Sequence, residues 1–407
     1  MRVVVIGGGI GGLALAQGLV KRGVDVVVLD RDTDLAHTGG YKLHLGPRAC
    51  DAARAVLPAS LWSTLRSRAV RTTGFEITVR DHRGRLLGRG TEEEGEALDV
   101  DRITLRLVLA GGLDHRLLTG VECVSCEETD DGVVVTATSG LQVEGDVAVI
   151  ADGARSVFAP RLAGGPTATD TGLVGVAGRT EVTGLDAEAR GLLHERPVLA
   201  VGPGGVGLFA SWHAPRPVVP GAAGSADPVV IWGVISTAAQ LPPRLHTLPG
   251  TDLGRAAHEL LTRRGWAPAL AGLPQLARTE SIAGFQFLAA DPRHIAPWIP
   301  GRVSAIGDAT HAMPPTGGRG AGTAIRDAAD LATRLGEAAR GWTTIPEALQ
   351  GNVAAMRGYA PQAVRESLEP VRWIKAGANP VGRSATRVGL PVLAGLAALR
   401  RRRGAAA

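Results

Sequence analysis

Residues 3–14 read Val3-Val4-Val5-Ile6-Gly7-Gly8-Gly9-Ile10-Gly11-Gly12-Leu13-Ala14, and residues 24–30 read Val24-Asp25-Val26-Val27-Val28-Leu29-Asp30. The first four residues form an apolar, β-branched run, as a strand buried on both faces of a parallel sheet requires. Gly7, Gly9 and Gly12 fit G-x-G-x-x-G. Leu13, Ala14, Ala16, Gln17, Leu19 and Val20 then give a helical pattern that ends near Gly23. Val24 to Leu29 form a second strand, closed by Asp30. Gly7 permits a tight turn, Gly9 lets the backbone approach a pyrophosphate, and Gly12 lets helix and strand pack closely. The free N–H groups of the helix N-terminus attract phosphate. Asp30 follows the glycines by about 20 residues, where a carboxylate accepts from a ribose diol. Strand, glycines, helix, strand and acid in this register predict a dinucleotide-binding βαβ unit.

Around this unit the composition is that of a globular protein. The chain has 407 residues, 45% of them hydrophobic, enough for a large core and about two to three domains. The net charge of +5 is spread along the chain, apart from Arg400-Arg401-Arg402-Arg403 near the C-terminus. No basic stripe alternates with aromatics, so no nucleic-acid partner is expected. Cys50, Cys123 and Cys126 are the three cysteines. No second pair completes the C-x-x-C spacing of Cys123 and Cys126. All three read as reduced, structural thiols of a cytoplasmic protein, and no metal site is expected. The N-terminus runs straight into the first strand, so no signal peptide is expected. No apolar run reaches the roughly 18 residues of a membrane span. The apolar stretch Val388–Leu399 before the four arginines reads as a closing helix and not as a membrane anchor, because it has no polar face.

Further along, Tyr41 to Leu45 reads as a short strand and Cys50 to Leu65 as helix interrupted at Pro58. Phe75–Arg80 and Arg85–Arg89 flank a turn, and Thr91–Glu96 is a solvated acidic loop. A helix from Ile103 to about Leu113 leads to strands at Glu122–Glu127, Val133–Ser139 and Val147–Ile150. From Gly172 to about Phe287, short strand-like runs between Gly and Pro turns predict an antiparallel sheet, interrupted by a helix around Leu253–Arg264. The α/β pattern then returns with a strand at Val303–Ile306 and a helix at Gly322–Gly336. A second G-x-G-x-x-G at Gly202, Gly204 and Gly207 precedes strand-like Leu208–Trp212 instead of a helix. It therefore reads as a hairpin turn.

The segment Gly307-Asp308-Ala309-Thr310-His311-Ala312-Met313-Pro314-Pro315-Thr316-Gly317-Gly318-Arg319-Gly320-Ala321-Gly322 resembles the G-D-A-x-H-x-x-x-P-x-x-G-x-G run of the class A flavoprotein monooxygenases of the p-hydroxybenzoate hydroxylase fold. The match is close from Arg302 to Asp327. The N-terminal fingerprint and the pair Asp152-Gly153 fall in the family's order, so the resemblance covers nearly the whole chain. It implies an α/β (α+β) fold in which a Rossmann-like FAD-binding domain (1–71, 99–171 and 289–345) interleaves with a mostly antiparallel β-sheet substrate domain (72–98 and 172–288). A C-terminal helical segment, 346–407, follows.

The resemblance also implies residue roles. FAD is expected at Gly7, Gly9, Ile10, Gly11, Gly12, Asp30 and Arg31, and at Arg102 and Asp152. From the second motif, Gly307 and Asp308 serve the ribityl chain, while Pro315, Gly318, Gly320, Ala321 and Gly322 serve the flavin ring. His311 is expected to be structural. His44 is the candidate for an active-site side chain, and Trp212, Trp232, Phe285 and Phe287 are candidates to line the substrate. Two residues depart from the family pattern. Ala159 stands where an arginine is usual, with Arg155 or Arg161 as possible compensation. Gly322 replaces the usual asparagine, so Thr323 is expected to cap the helix.

The activity implied is that of a FAD-dependent monooxygenase. NAD(P)H is the transient electron donor, and O2 adds to the reduced ring at C4a. The resulting C4a-hydroperoxyflavin hydroxylates an aromatic or polycyclic small molecule. A monomer or homodimer without a membrane partner is expected. The alternatives are a flavin-binding protein that sequesters an intermediate without redox turnover, and a flavin reductase of the same fold. The halogenase signature W-x-W-x-I-P is broken at Ala296, ahead of Trp298-Ile299-Pro300.

Overall fold

In the computed structural model, which describes residues 1–36, 42–72, 76–91, 95–194, 196–214 and 228–378, the strand Arg2–Ile6 is buried from Val3 onward. It is the middle strand of a five-stranded sheet in the order Val303–Ala305, Val147–Ile150, Arg2–Ile6, Asp25–Asp30, Leu117–Thr119. Every pairing in it is parallel. Helices cover this sheet, which is why its strands read as unbroken apolar runs. The helix Ile10–Val20 packs on Gly320–Ala339 through small residues: a Cβ placed on Gly18 would lie 2.6 Å from that of Ala332.

The second large sheet has seven strands, ordered Ala283–Ala289, Thr169–Glu181, Val229–Thr237, Val206–His213, Val198–Gly202, Glu76–Asp81, Leu86–Thr91. Its pairings are antiparallel except Val198–Gly202 with Glu76–Asp81. Residues on one strand alternate between faces. Val206, Leu208 and Ala210 therefore join Val230, Trp232 and Val234 in a core of their own, under the helix Gly250–Arg263. The other face carries Ser211, Ile235 and Arg179. At one end of it Leu173, Ile235 and Phe287 pack on Val371 and Ile374 of the long helix Ile345–Ala376. The fold is thus the expected α/β architecture: a Rossmann-like sheet, a mostly antiparallel sheet and C-terminal helices.

A three-stranded sheet, Lys42–Leu45, Ala97–Asp101 and Val70–Thr72, stands between the two. The strand Ala97–Asp101 was not foreseen. All five of its residues are buried although two are aspartates. Their charges are met by partners far away in sequence, as described below. The edge strand Leu117–Thr119 was also unforeseen; three residues are too short to show a period.

The second glycine motif is a hairpin: Gly202 pairs with Val206, and Gly204 and Gly205 carry φ of +76° and +73°. The three thiols are free, and burial pushes Cys50 up to about 12 and Cys123 and Cys126 to about 11. None is therefore a reactive thiolate near neutrality. Among the described residues no helix is long and apolar enough to cross a membrane, and no cluster is suited to a metal ion. Tyr41, the glutamates 92–94 and the tail from 379 onward, with the expected closing helix Val388–Leu399, lie outside the described residues.

Candidate FAD and substrate site

The site begins where the first strand turns into the first helix. Gly7 has φ +109°, and a Cβ there would lie 2.5 Å from the carbonyl oxygen of Ala151, so only glycine fits. A Cβ on Gly12 would come within 2.0 Å of the Gly7 carbonyl oxygen. Gly9 precedes the helix Ile10–Val20 without a side-chain cap, and the first turn holds no acidic residue. The N–H groups of Ile10, Gly11 and Gly12 are the first-turn donors of this uncapped end, which favours an anion.

Asp30 lies at this turn, but its carboxylate is already engaged by the protein. One oxygen accepts from the N–H of Gly8 at 2.5 Å; the other accepts from the N–H of Asp32 and from Nη2 of Arg106, both at 2.9 Å. Arg106 is buried in the helix Arg102–Ala110. It also donates to the Gly8 carbonyl at 2.9 Å and to Asp32 at 2.7 Å. Sequence reading missed this arginine. Three of the four lone-pair directions of Asp30 are used, and Asp32, with its side chain 35% exposed, is the more open carboxylate.

Asp152 follows the neighbouring strand. Its Oδ1 is buried without a partner, and Oδ2 accepts weakly from the Val157 N–H at 3.3 Å. Burial pushes its carboxyl up, against the Ser156 hydroxyl and the Val157 N–H that bond to it and, more weakly, the charge of the exposed Arg31. The residue that departs from the family pattern, Ala159, is fully buried, and Arg155 is bonded to Gln286 at 3.0 Å.

At the third strand end, Gly307 takes φ +64° and opens the short helix Asp308–His311. The N–H of Gly307 donates to Asp327 at 2.9 Å, and His311 Nε2 donates to the same oxygen at 2.6 Å. Both side chains of this His–Asp pair are fully buried. Burial opposes the imidazolium, but the charge and hydrogen bond of Asp327 outweigh it and hold the His311 pKa up. Asp308 is different. Burial pushes its carboxyl up while His311 and Arg102 favour its charged form, and among the described residues it accepts no hydrogen bond. A Cβ on Gly320 would lie 3.6 Å from its Oδ1.

The loop beyond is rich in glycine and open at Gly318. Gly318 has φ +63° with nothing within 4 Å of its Cβ position, and the helix Gly320–Ala339 starts with no side-chain cap and no acid in its first turn. Thr323 was expected to cap this helix. It does not: its hydroxyl donates back to the carbonyl of Arg319 at 2.9 Å, because the helix begins three residues earlier, at Gly320. The loop is pinned from the closing helix, Thr316 donating to the carbonyl of Ser367 at 2.7 Å.

A buried polar group lies where the two large sheets meet. Lys42 Nζ contacts Asp99 at 2.5 Å and Ser211 of the seven-stranded sheet at 2.9 Å, and His44 Nδ1 donates to the other oxygen of Asp99 at 2.7 Å. Burial favours a protonated Asp99, but the His44 hydrogen bond and the Lys42 charge outweigh it and hold its pKa below the usual carboxylate range. Beside this group Asp101 caps the helix Arg102–Ala110 and pairs with Arg179.

His213 shares the face of Ser211. Both its ring nitrogens are buried without a partner, and burial, aided by the Lys42 charge, lowers its pKa to about 4 from 6.5. The unfolded chain therefore takes up this proton first. The contribution of His213 to stability is complete above about pH 6.5 and falls toward pH 4, at up to about 1.4 kcal/mol per pH unit. Urea unfolding across that range is expected to show a shallower pH slope in His213→Phe than in the wild type; equal slopes would contradict the assignment.

The four aromatic candidates do not share a face. Trp232 is fully buried in the separate core and donates to Thr180 at 3.0 Å; Trp212 packs against that core, edge-on to His194. Phe285 and Phe287, 5.3 Å apart, lie over Gly175 on the opposite face, and Phe287 is enclosed by the closing helix. The two tryptophans therefore pack within the seven-stranded sheet's own core, and only Phe285 remains half-buried on the face toward the nucleotide-binding sheet.

The geometry fits FAD on its own terms: two uncapped helix N-termini, a glycine-rich loop open at Gly318, and two carboxylates with unused acceptors, Asp152 and Asp308. Comparison with known proteins agrees. Residues 5–57 match a NAD(P)-binding Rossmann-like domain and residues 271–365 match a FAD binding domain. The chain is 30% identical over 351 residues to the 3-amino-4-hydroxybenzoate 2-monooxygenase of Streptomyces platensis, covering 83% of this chain and 80% of the relative. It is 29% identical to a dual O-methyltransferase/FAD-dependent monooxygenase of Phaeosphaeria nodorum, of whose length it spans 39%. A crystal structure from Photorhabdus luminescens, assigned to the FAD-containing monooxygenases, superposes with a TM-score of 0.77 at 26% identity, covering 93% of this chain and 98% of that one. From the site, the fold and these relatives together, the chain belongs to the FAD-dependent monooxygenases of the class A, p-hydroxybenzoate hydroxylase-like family.

Proposed function

We propose that this protein uses NAD(P)H and O2 to hydroxylate an aromatic small molecule, with FAD as its bound cofactor. The observation that carries the reading is the unpartnered Asp308 carboxylate beside the uncapped helix at Gly320. FAD, when bound, supplies the redox chemistry, taking electrons from NAD(P)H and activating O2. The protein's own residues bind and orient. The N–H groups of Ile10, Gly11 and Gly12 hold the pyrophosphate together with Arg102, and Asp308 accepts from the ribityl hydroxyls. Asp30, through its last acceptor, and the more open Asp32 hold the adenosine ribose. The N–H groups of Gly320, Ala321 and Gly322 favour negative charge on the reduced ring.

Substrate is placed against the sheet face that carries Ser211 and Phe285. Asp99 fixes the His44 proton on Nδ1 and holds Lys42 beside Ser211, so a polar group of the substrate meets charges already in place. The relative from Streptomyces platensis supports an aromatic acid as the substrate class. Sheet membership supports the proposed division into a FAD-binding and a substrate domain. A cytoplasmic location and a monomeric or homodimeric state belong to the same proposal, with three unpaired cysteines in support of the location.

The test uses purified protein reconstituted with FAD. Stable binding of FAD but not FMN is expected. So is NADPH oxidation stimulated by at least one member of an aromatic panel that includes 3-amino-4-hydroxybenzoate, with a product heavier by one oxygen atom. FAD binding with no NADPH oxidation under any condition would replace this reading with the sequestering one.

A further inference from the structure

The long helix Ile345–Ala376 opens with a capping box, Thr344 and Glu347, and runs past the Gly307–Asp308 turn toward the substrate sheet. Its Tyr359 donates a hydrogen bond to Oδ1 of Asp327 at 2.5 Å. The other oxygen of that fully buried carboxylate receives the Gly307 N–H and His311 Nε2. Asp327 therefore divides its two oxygens, one for the cofactor turn and one for the closing helix. The same helix fixes the backbone there too: Asn352 donates to the Asp327 carbonyl at 3.2 Å and to Asp330 at 2.9 Å. The Arg326 guanidinium lies 3.7 Å over the Tyr359 ring and holds it in place.

A carboxylate in a closed, dry site rotates toward its strongest donors. Without the phenol, one oxygen of Asp327 loses its side-chain donor while the other keeps two. The group then turns to share the His311 N–H between its two oxygens, and the bond to the Gly307 N–H lengthens. That bond matters because Gly307 is held at φ +64°, ψ −146°, a backbone that only glycine adopts easily. The next residue is Asp308, whose carboxylate direction follows from this turn.

We propose that Tyr359 is a positioning residue of the cofactor site: by holding one oxygen of Asp327 it keeps the other on Gly307, and so sets where Asp308 meets FAD, resting on the reading above that Asp308 binds FAD. The closing helix is on this account part of the cofactor site and not only a cover for the substrate sheet.

Tyr359→Phe keeps the ring under Arg326 and removes only the hydroxyl. FAD release on dilution of the holoenzyme, followed by flavin fluorescence, is expected to show about tenfold weaker binding, the effect of one hydrogen bond to a charged group. The melting temperature of the FAD-free variant should stay within a few degrees of the wild type. A second readout needs neither turnover nor a variant of Tyr359. The chain has two tyrosines, Tyr41 and Tyr359, so in Tyr41→Phe labelled with 3-fluorotyrosine the single fluorine resonance belongs to Tyr359. It is expected to move between the FAD-stripped and FAD-bound protein.

Wild-type FAD affinity in Tyr359→Phe, while Asp308→Ala loses the cofactor, overturns the role of Tyr359 alone. Wild-type affinity in both overturns the placement of FAD and the proposal with it. If Tyr359→Phe does not fold, a fluorine resonance that stays still on FAD saturation overturns the proposal by itself.

Discussion

Alanine at position 308 is expected to give a folded protein that no longer retains FAD. The carboxylate accepts no hydrogen bond among the described residues, and burial outweighs the favourable charges of His311 and Arg102, so the fold gives up little when it is removed. On the proposed placement, the cofactor loses a charged acceptor for its ribityl hydroxyls. Two such bonds at about 1.5–3 kcal/mol each put the loss at about two orders of magnitude or more in affinity. Flavin retained through gel filtration measures it. A second consequence has the opposite sign. Burial raises the Asp308 pKa in the folded chain from its usual 3.8, so ionisation of this group opposes folding at neutral pH. The FAD-free Asp308→Ala protein is therefore expected to melt above the FAD-free wild type, by a margin that grows as the pH rises above the usual carboxylate value of 3.8. Weaker cofactor binding together with a more stable apoprotein distinguishes a binding carboxylate from a structural one; lower stability in the variant would place Asp308 in the core instead.

Arg106→Met is expected to destabilise the protein by about 3–5 kcal/mol, the cost of leaving a buried carboxylate without its counter-charge. Arg106 is only 4% exposed and Asp30 6%. Its guanidinium spans Asp30, Asp32 and the carbonyls of Gly8 and Leu35. Methionine fills the volume and meets none of these groups. Lysine at this position is expected to restore little, because a point charge on a flexible stem cannot reproduce a planar fork with four acceptors. Urea unfolding monitored by tryptophan fluorescence reads both variants. A loss below about 1 kcal/mol in Arg106→Met, the range of a surface ion pair, would show that solvent reaches Asp30.

The parts of this protein legible in its sequence are those in which neighbours along the chain are also neighbours in space. The turn at Gly7–Gly12, the hairpin at Gly202–Val206 and the loop from Gly307 to Gly322 are local objects, and their glycines report backbone demands directly. Arg106 was not legible because its partners lie 71 to 98 residues away. In sequence it is one polar residue of an apolar helix. The strand Ala97–Asp101 was hidden for a related reason: its aspartates suggest a loop until Lys42 and Arg179 are brought to them. Tyr359 and Asp327 were linked only by the fold. The tryptophans were hidden differently. Their strands were placed, but which face a residue occupies depends on pairing register, and that sends Trp212 and Trp232 into the sheet's own core. Thr323 failed by the position of a helix start, which pattern does not fix.

The interleaving of the parallel sheet governs the order in which the chain can assemble. The strand Arg2–Ile6 has its partner Val147–Ile150 about 145 positions later, and that strand in turn waits for Val303–Ala305. The helix Ile10–Val20, buried along most of its length, is covered by Gly320–Ala339. A nascent chain emerging from a ribosome therefore carries an apolar helix and an open sheet edge until more than three quarters of it has been made. Contacts between such distant segments are slow to form, and the exposed surface is prone to associate in the meantime. With FAD held, as proposed, by residues 7–32 and 307–322 together, cofactor capture comes late and acts as the final lock on an assembly that the first thirty residues begin.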